Sequence, residues 1–151
     1  MSQSTLPIQN LPIVVHAQYV KDLSFENPHA PGSLRGGAGS PEMDVSVNLS
    51  VRNVESDSVK AMFEVVTQLR VRAMRGDNAM FLVDLDYAMV VSIDGVPEEH
   101  RHPVLLIEVP KLSFPFVRHI LASTVSDGGF PPLYLTPVDF GALYIERYGE
   151  K

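Results

Sequence analysis

The chain has 151 residues, 45% of them hydrophobic and 20% charged, which is typical of one globular domain large enough to bury its own core. Its formal net charge is −6 and it has only 12 lysine and arginine residues, so we do not expect it to bind nucleic acid. The absence of cysteine excludes disulfides, thiolate nucleophiles and cysteine-based zinc sites.

The N-terminal segment predicts neither a signal peptide nor membrane insertion, because it lacks a basic start and its apolar run is interrupted by prolines and polar residues. We therefore expect a cytoplasmic protein. Residues 1–11 are mostly polar and predict a flexible N-terminus, whereas residues 13–20, IVVHAQYV, predict a first strand. Prolines and a glycine-rich run predict that residues 21–41 form a long loop.

The predicted loop begins with KDLSFENPHAP, residues 21–31, in which Asp22 and Glu26 flank Phe25. Its composition disfavours both a helix and a long strand. A loop this long inside a compact domain is usually functional or disordered. An acid/base catalyst, a metal site and a docking surface are all open interpretations of its carboxylates.

Three segments with alternating apolar and polar residues follow, at residues 43–51, 60–74 and 79–93. The links between them are short, and RGDN at 75–78 is typical of a turn, so the three segments predict an antiparallel meander. The predicted apolar face of the last strand consists of Phe81, Val83, Leu85, Tyr87, Met89, Val91 and Ile93.

The C-terminal third predicts helices. From residue 98 to about 125, apolar residues recur at helical spacing, and Pro110 and Pro115 should kink or split this helix. Thr136, followed by a proline, predicts the cap of a last helix that ends at Gly149.

Strands followed by helices predict an α+β fold, a four-stranded antiparallel sheet with two helices packed on one face. Met80, Leu82 and Val90 place apolar side chains on the nominally polar face of the third long strand. Apolar surface of this extent predicts a homo-oligomer.

The sequence contains neither a serine nucleophile motif nor a phosphate-binding loop. His100 and His102 favour a surface loop over a metal site, because their surroundings are charged and only three other histidines exist. We predict neither a metal nor another cofactor. A solvated acidic surface and an acidic docking patch are both favoured over catalysis for the carboxylates in question, which are Asp22, Glu26, Asp84 and Asp86.

Three motifs, in order, resemble the SecB family of protein-export chaperones. They are KDLSFENPHAP, then FPFVRHI at 114–120, then GGFPPLYLTPVDFGALY at 128–144. The resemblance runs from about Val14 to Tyr148 and implies a SecB-like domain over residues 12–148, followed by a short end at 149–151. We expect the acidic tail that SecB proteins often carry there to be absent or much reduced.

This resemblance implies a non-enzymatic, ATP-independent holdase that forms a homotetramer, as a dimer of dimers. Such a protein binds unfolded preproteins in the cytoplasm, keeps them translocation-competent and passes them to the SecA ATPase. Carried over by motif, the SecA-docking residues are Asp22, Glu26, Leu82 and Asp84, although the family pattern has glutamate at the last position.

The resemblance also places a client-binding groove between the long loop and the last helix. The candidate groove residues are Phe25, Val45, Val47, Leu49, Phe130, Leu133, Phe140 and Tyr144, and core packing is an equal alternative for each. Packing under the long helix or at the oligomer interface is the expected role of Val83, Leu85 and Tyr87.

We also consider two other functions. A SecB-like chaperone could serve a toxin–antitoxin pair instead of export, but the intact acidic residues of KDLSFE favour SecA as the partner. A small-molecule enzyme is disfavoured by the missing nucleophile, metal ligands and phosphate loop.

Overall fold

The architecture is one sheet with helices on one of its faces. The computed structural model describes residues 12–36 and 40–149. The four antiparallel strands lie in the order β1-β4-β3-β2, and they are β1 Val14–Glu26, β2 Glu42–Asn53, β3 Met62–Arg75 and β4 Asn78–Ser92. The helical segments are a 3₁₀ turn Gly32–Leu34, α1 Glu98–Pro103, a π-helical turn Val104–Glu108, α2 Val109–Asp127 and α3 Phe140–Tyr148. The predicted α+β class and the antiparallel meander are confirmed.

Three parts of the sequence lie outside the described residues. They are the predicted flexible N-terminus at 1–11, residues 37–39 of the glycine-rich run, and the last two residues of the short end predicted at 149–151.

The core lies between the sheet and α2. Successive residues of a strand face opposite sides, so the odd-numbered side chains of β3, and those of β4 from Phe81 onward, point toward the helices. The buried cluster includes Leu69, Val71, Phe81, Val83, Leu85 and Tyr87 of the sheet with Val117, Leu121 and Val125 of α2. The predicted apolar face of β4 is confirmed.

Three predicted interface residues belong to this core. Val83, Leu85 and Tyr87 are 0%, 0% and 5% exposed in a single chain and pack under α2. Packing under the long helix is therefore their role. The alternative, contact with another subunit, is wrong for these side chains, because the chain's own helix already covers them.

β1 continues through residues that the sequence predicts as a loop. That prediction is wrong for residues 21–26, which pair with β4. His16 and Lys21 have no direct partner in β4, so each shifts the register by one residue. Such bulges exchange the two faces of the strand, and the alternation that identifies a strand in the sequence is lost at each of them.

The helical segments agree with the prediction at Pro110 and differ from it at Pro115 and at the cap of α3. The long helix is split by the π-helical turn, directly before Pro110, whose ring would clash with the carbonyl four residues earlier in a regular helix. Pro115 lies inside α2 without ending it. The predicted cap at Thr136 is wrong: Asp139 caps α3, and its side chain accepts a hydrogen bond from the Ala142 amide at 2.9 Å.

Truncating Leu121 tests the packing of α2 on the sheet. Leu121 is 0% exposed, so Leu121→Ala leaves a cavity, and we expect it to lower the free energy of unfolding by about 3 kcal/mol. Ile145→Ala removes a similar side chain that is 69% exposed and should cost under about 0.5 kcal/mol. Urea unfolding at one protein concentration measures both, and equal losses would contradict the described core.

Candidate functional site

An open apolar groove lies where the 3₁₀ turn meets the segment that follows α2. Its volume is about 470 Å³. Its apolar lining includes Leu34, Met43, Met80, Phe81, Phe130 and Leu133, with Pro41, Pro131 and Pro132 beside them. Phe130 and Leu133 are thus two predicted groove residues that do line a groove.

Three aromatic rings form a stack at this groove, which we call the aromatic floor: Phe25, Phe81 and Phe130. The ring centroids of Phe81 and Phe130 are 5.0 Å apart, and those of Phe25 and Phe81 are 6.1 Å apart. Such offset or tilted pairs are favourable beyond the area that they bury. Phe25 therefore supports the floor from β1.

Two glycines at the end of α2 allow this stack to form. A Cβ at Gly128 would overlap the ring of Phe25, so only glycine permits the close approach. Gly129 has a φ of 94°, which side-chain-bearing residues rarely adopt, and it faces Leu34. These two glycines therefore let the end of α2 approach both Phe25, which supports the aromatic floor, and Leu34, which lines the groove.

An apolar strip on β2 leads away from the groove. Met43, Val45, Val47 and Leu49 lie opposite inward-facing residues of β3, and Val45 is 39% exposed. The strip ends at a second cleft of about 640 Å³ between β2, α1 and α3, which Leu49 lines.

Tyr144 lies on α3 near that second cleft. Its hydroxyl is 2.8 Å from Nδ1 of His102, and the two rings are in contact. Tyr144 therefore joins α3 to α1. The prediction that Phe140 contacts a client is wrong, because it is 1% exposed and packs edge-on against Phe114 in the core.

The face of the sheet opposite the helices, here called the outer face, brings the predicted docking residues together. Glu26 lies directly opposite Leu82, and Asp84 follows two residues along the same strand. A shallow pocket of about 70 Å³ is lined by Ser24, Glu26, Val71, Arg72, Leu82 and Asp84. Asp22 lies further along β1 on the same face, opposite Asp86.

The outer face carries charges of both signs. The Arg70 guanidinium is 3.8 Å from the Asp84 carboxylate, and both side chains are more than half exposed, so this ion pair contributes little to stability. Asp22 and Asp86, in contrast, are like charges on neighbouring positions of two strands, an arrangement that is unfavourable without a cation.

A buried carboxylate ties the strands together at the other end of the outer face. Glu64 of β3 is 2% exposed and accepts hydrogen bonds from Lys21 and Arg52, each at 2.8 Å, and from the Tyr19 hydroxyl. These donors come from β1 and β2, so the contacts span all four strands. The hydrogen bonds from Arg52, Lys21 and Tyr19 lower the pKa of Glu64 to about 2.

For several residues of these surfaces, the sequence pattern either does not indicate where the side chain lies or indicates the wrong face of the sheet. Leu34 lies in an irregular segment, and Met80 is on the nominally polar face by simple alternation. A register shift beside Met74 leaves Met80 unpaired, and it is buried at the groove. Glu64 alternates with apolar neighbours like any solvated residue, and only the three-dimensional neighbours show that it is buried.

Within residues 12–36 and 40–149, no three histidine or carboxylate side chains are grouped so that they could hold a metal ion. Over the same residues, no helix has both the length and the apolar character needed to cross a membrane.

Open apolar grooves and exposed charged sheet faces are surfaces through which proteins commonly bind other polypeptide chains. The sequence profile of the family described as preprotein translocase subunit SecB matches residues 8–151. Protein-export proteins SecB from Rhodopseudomonas palustris (strain HaA2) and Maricaulis maris (strain MCS10) are each 47% identical over 130 residues, which cover 86% of this chain and 80% and 73% of theirs. The chain belongs to the SecB family of protein-export chaperones.

A solved structure has the same fold. It is a Mycobacterium tuberculosis SecB-like chaperone in complex with a ChAD peptide from an antitoxin. The match has a TM-score of 0.67 and covers 83% of this chain and 90% of that one, at 15% sequence identity.

Removing the Glu64 charge should change the stability and its dependence on pH. The pKa of Glu64 in the folded chain, about 2, is below its ordinary value of 4.5, so its contribution is complete above pH 4.5 and is lost as the pH falls toward 2. We expect Glu64→Gln to lower the free energy of unfolding at pH 7 by about 2 kcal/mol, allowing for screening by the exposed partners.

Urea unfolding between pH 2 and pH 7 measures this difference, which should shrink as the pH falls from 4.5 toward 2. Glu99→Gln, at an exposed position of α1, is the matched control and should have little effect at any pH. A difference that is constant with pH would show that the carboxylate charge does not stabilise the sheet.

Proposed function

We propose that the chain is an ATP-independent holdase that binds unfolded precursor proteins in the cytoplasm, keeps them translocation-competent and delivers them to the SecA ATPase. The observation that carries the proposal is the open apolar groove with its aromatic floor, in a chain of the SecB family. Capture by burial of apolar surface requires no bound nucleotide, so the proposal includes no cofactor.

The groove suits clients that have not folded. An unfolded chain exposes apolar side chains, and burying one large side chain on the aromatic floor contributes about 1.5–3 kcal/mol. The strip from Met43 to Leu49 lengthens this surface along the edge strand β2. Such contacts tolerate many sequences, and several weak ones together give useful affinity.

The proposed SecA-docking surface is the part of the outer face that contains Asp22, Glu26, Leu82 and Asp84. Its support is geometric, since the four residues lie on adjacent strands and on one face. Asp86 extends the surface. Because Asp22 and Asp86 oppose each other, a basic partner surface would relieve their repulsion, and the half-buried Leu82 would add apolar contact.

We also propose assembly into a homotetramer, as a dimer of dimers. Its support is the apolar surface that a single chain leaves exposed on the edge strand β1 and on α2. These exposed residues are Val14, Val15, Val20, Leu23, Leu112 and Phe116. An edge strand with apolar side chains is a surface that proteins usually cover by association.

Service to a toxin–antitoxin pair is the alternative function. The Mycobacterium tuberculosis protein with an antitoxin peptide is 15% identical to this chain, whereas the curated export proteins are 47% identical. The higher sequence identity to the export proteins therefore favours export over service to a toxin–antitoxin pair.

Alanine substitutions on β1 test the docking surface. Asp22→Ala with Glu26→Ala removes two exposed carboxylates, and we expect about a tenfold loss of affinity for SecA in calorimetric titration. The tetramer and client capture should be unchanged. The control, Glu55→Ala with Asp57→Ala, makes the same change of charge in the segment between β2 and β3. If the control weakens SecA binding equally, only net charge matters; if tetramer and client capture also fail, these residues are structural.

Native mass spectrometry tests the holdase function directly. The purified chain should have the mass of four copies and should gain one chemically unfolded, slowly refolding client. The same client, once folded, should not bind, because its apolar segments are buried. A monomer, or a tetramer indifferent to unfolded chains, would refute the proposed function.

A further inference from the structure

A short row of basic side chains borders the proposed docking surface. Arg70 and Arg72 are exposed residues of β3, and their even-numbered positions direct both side chains to the outer face. β3 pairs with β4, so Arg70 lies directly opposite Asp84 and Arg72 lies directly opposite Leu82. Two of the four proposed docking residues therefore have an arginine as their neighbour on β3.

Arg70 partly neutralises the charge of Asp84. The Asp84 carboxylate lies 3.8 Å from Nε of Arg70, and its neighbour on β1 is the neutral Ser24. Both charged side chains are more than half exposed, so water screens the pair and its effect on stability is small. The Arg70 charge nevertheless lies beside any cation that a partner brings to Asp84.

Asp86, two residues further along β4, has different neighbours. It lies opposite the neutral Gln68 on β3 and opposite Asp22 on β1. Over the part of the chain that the structure describes, neither Asp22 nor Asp86 takes part in an ion pair. The negative charge of the outer face is therefore concentrated at these two aspartates and reduced at Asp84.

The signs of these charges determine what a basic partner gains at each position. A lysine or arginine brought to Asp84 is attracted by one carboxylate, but it is repelled by Arg70 and competes with Arg70 for the carboxylate oxygens. The same cation at Asp22 and Asp86 is attracted by two carboxylates and relieves their mutual repulsion. The two positions therefore differ in how strongly they bind a cation.

We propose that Arg70 is a specificity-determining residue of the docking surface: it weakens Asp84 as a contact for a basic partner segment and shifts that contact to Asp22 and Asp86. Arg72 extends the same effect to the surroundings of Leu82. This inference rests on the proposed docking of SecA and assigns which carboxylates of that surface bind the basic residues of the partner. Arg70 thus sets the affinity without binding the partner itself.

Removing the Arg70 charge tests this assignment, with full-length SecA as the probe in calorimetric titration. We expect Arg70→Gln to bind SecA about threefold more tightly at low salt, because a repulsive charge is removed and Asp84 becomes available. The gain should shrink as salt is raised, since the charges are exposed. Arg70→Lys keeps the charge and should tighten binding less than Arg70→Gln does.

A double-mutant cycle isolates the contribution of the pair. Asp84→Asn should weaken SecA binding about twofold in the natural chain and about fivefold in the Arg70→Gln background, because Asp84 contributes fully only when Arg70 is removed. Lys60→Gln removes the same charge from an exposed position before β3 and should not reproduce the gain. Thermal unfolding monitors the fold of each variant.

The outcomes distinguish this inference from the function on which it rests. An affinity that is unchanged in Arg70→Gln, or an equal gain in Lys60→Gln, overturns the role of Arg70 alone. Weaker binding by Arg70→Gln overturns it as well, because Arg70 would then itself contact an acidic group of SecA. If the natural chain and all of the variants fail to bind SecA, the docking proposal fails together with this inference.

Discussion

Burial of the odd-numbered side chains of β3 and β4 under α2 is the constraint on which the rest of the structure depends. Leu85, Leu121 and their neighbours are inaccessible in a single chain, and this burial supplies a main part of the hydrophobic stabilisation. Because the helix occupies one face, Asp22, Glu26 and Asp84 on the other face remain exposed to solvent. Because α2 ends at Asp127, the segment that follows it brings Phe130 against Phe81, and the two rings form the aromatic floor with Phe25. Both proposed binding surfaces thus follow from where one helix lies and ends.

Bulges in β1 and β4 determine which side chains reach the outer face and the groove. The bulge at Lys21 puts this residue and Asp22 on the same face, so that Lys21 reaches Glu64 while Asp22 extends the acidic part of the outer face. The Glu64 contacts hold the edge strand β1 across β4 to β3 and β2. In β4, an unpaired Met80 joins the groove. The bulges at Lys21 and Met80 therefore place side chains of the outer face and the groove where regular pairing would not.

The sequence predicted much of the fold and part of the candidate site. Alternation identified β2, β3 and β4 and the buried face of the sheet, and helical spacing identified the long helix. The resemblance to the SecB family suggested Asp22 and Glu26 of KDLSFE together with Leu82 and Asp84 of the third long strand, and these residues do share a face. It failed for Phe140, whose amphipathic position fits core and groove equally well. The sequence pattern also failed for residues 21–26, because the bulge at Lys21 interrupts the alternation between the predicted first strand and this segment.

By itself the sequence determined the α+β class, the order of the elements and the absence of cysteine chemistry, because periodicity and composition depend only on local order along the chain. Only the tertiary structure decided that Glu64 is buried among three donors, that Gly128 must be small beneath the ring of Phe25, and that the Nε of Arg75 is buried with no hydrogen-bond partner among the described residues. Each of these depends on residues that are distant in sequence. Burial and hydrogen bonding belong to the neighbours that folding assembles, and alternation along one strand cannot specify them.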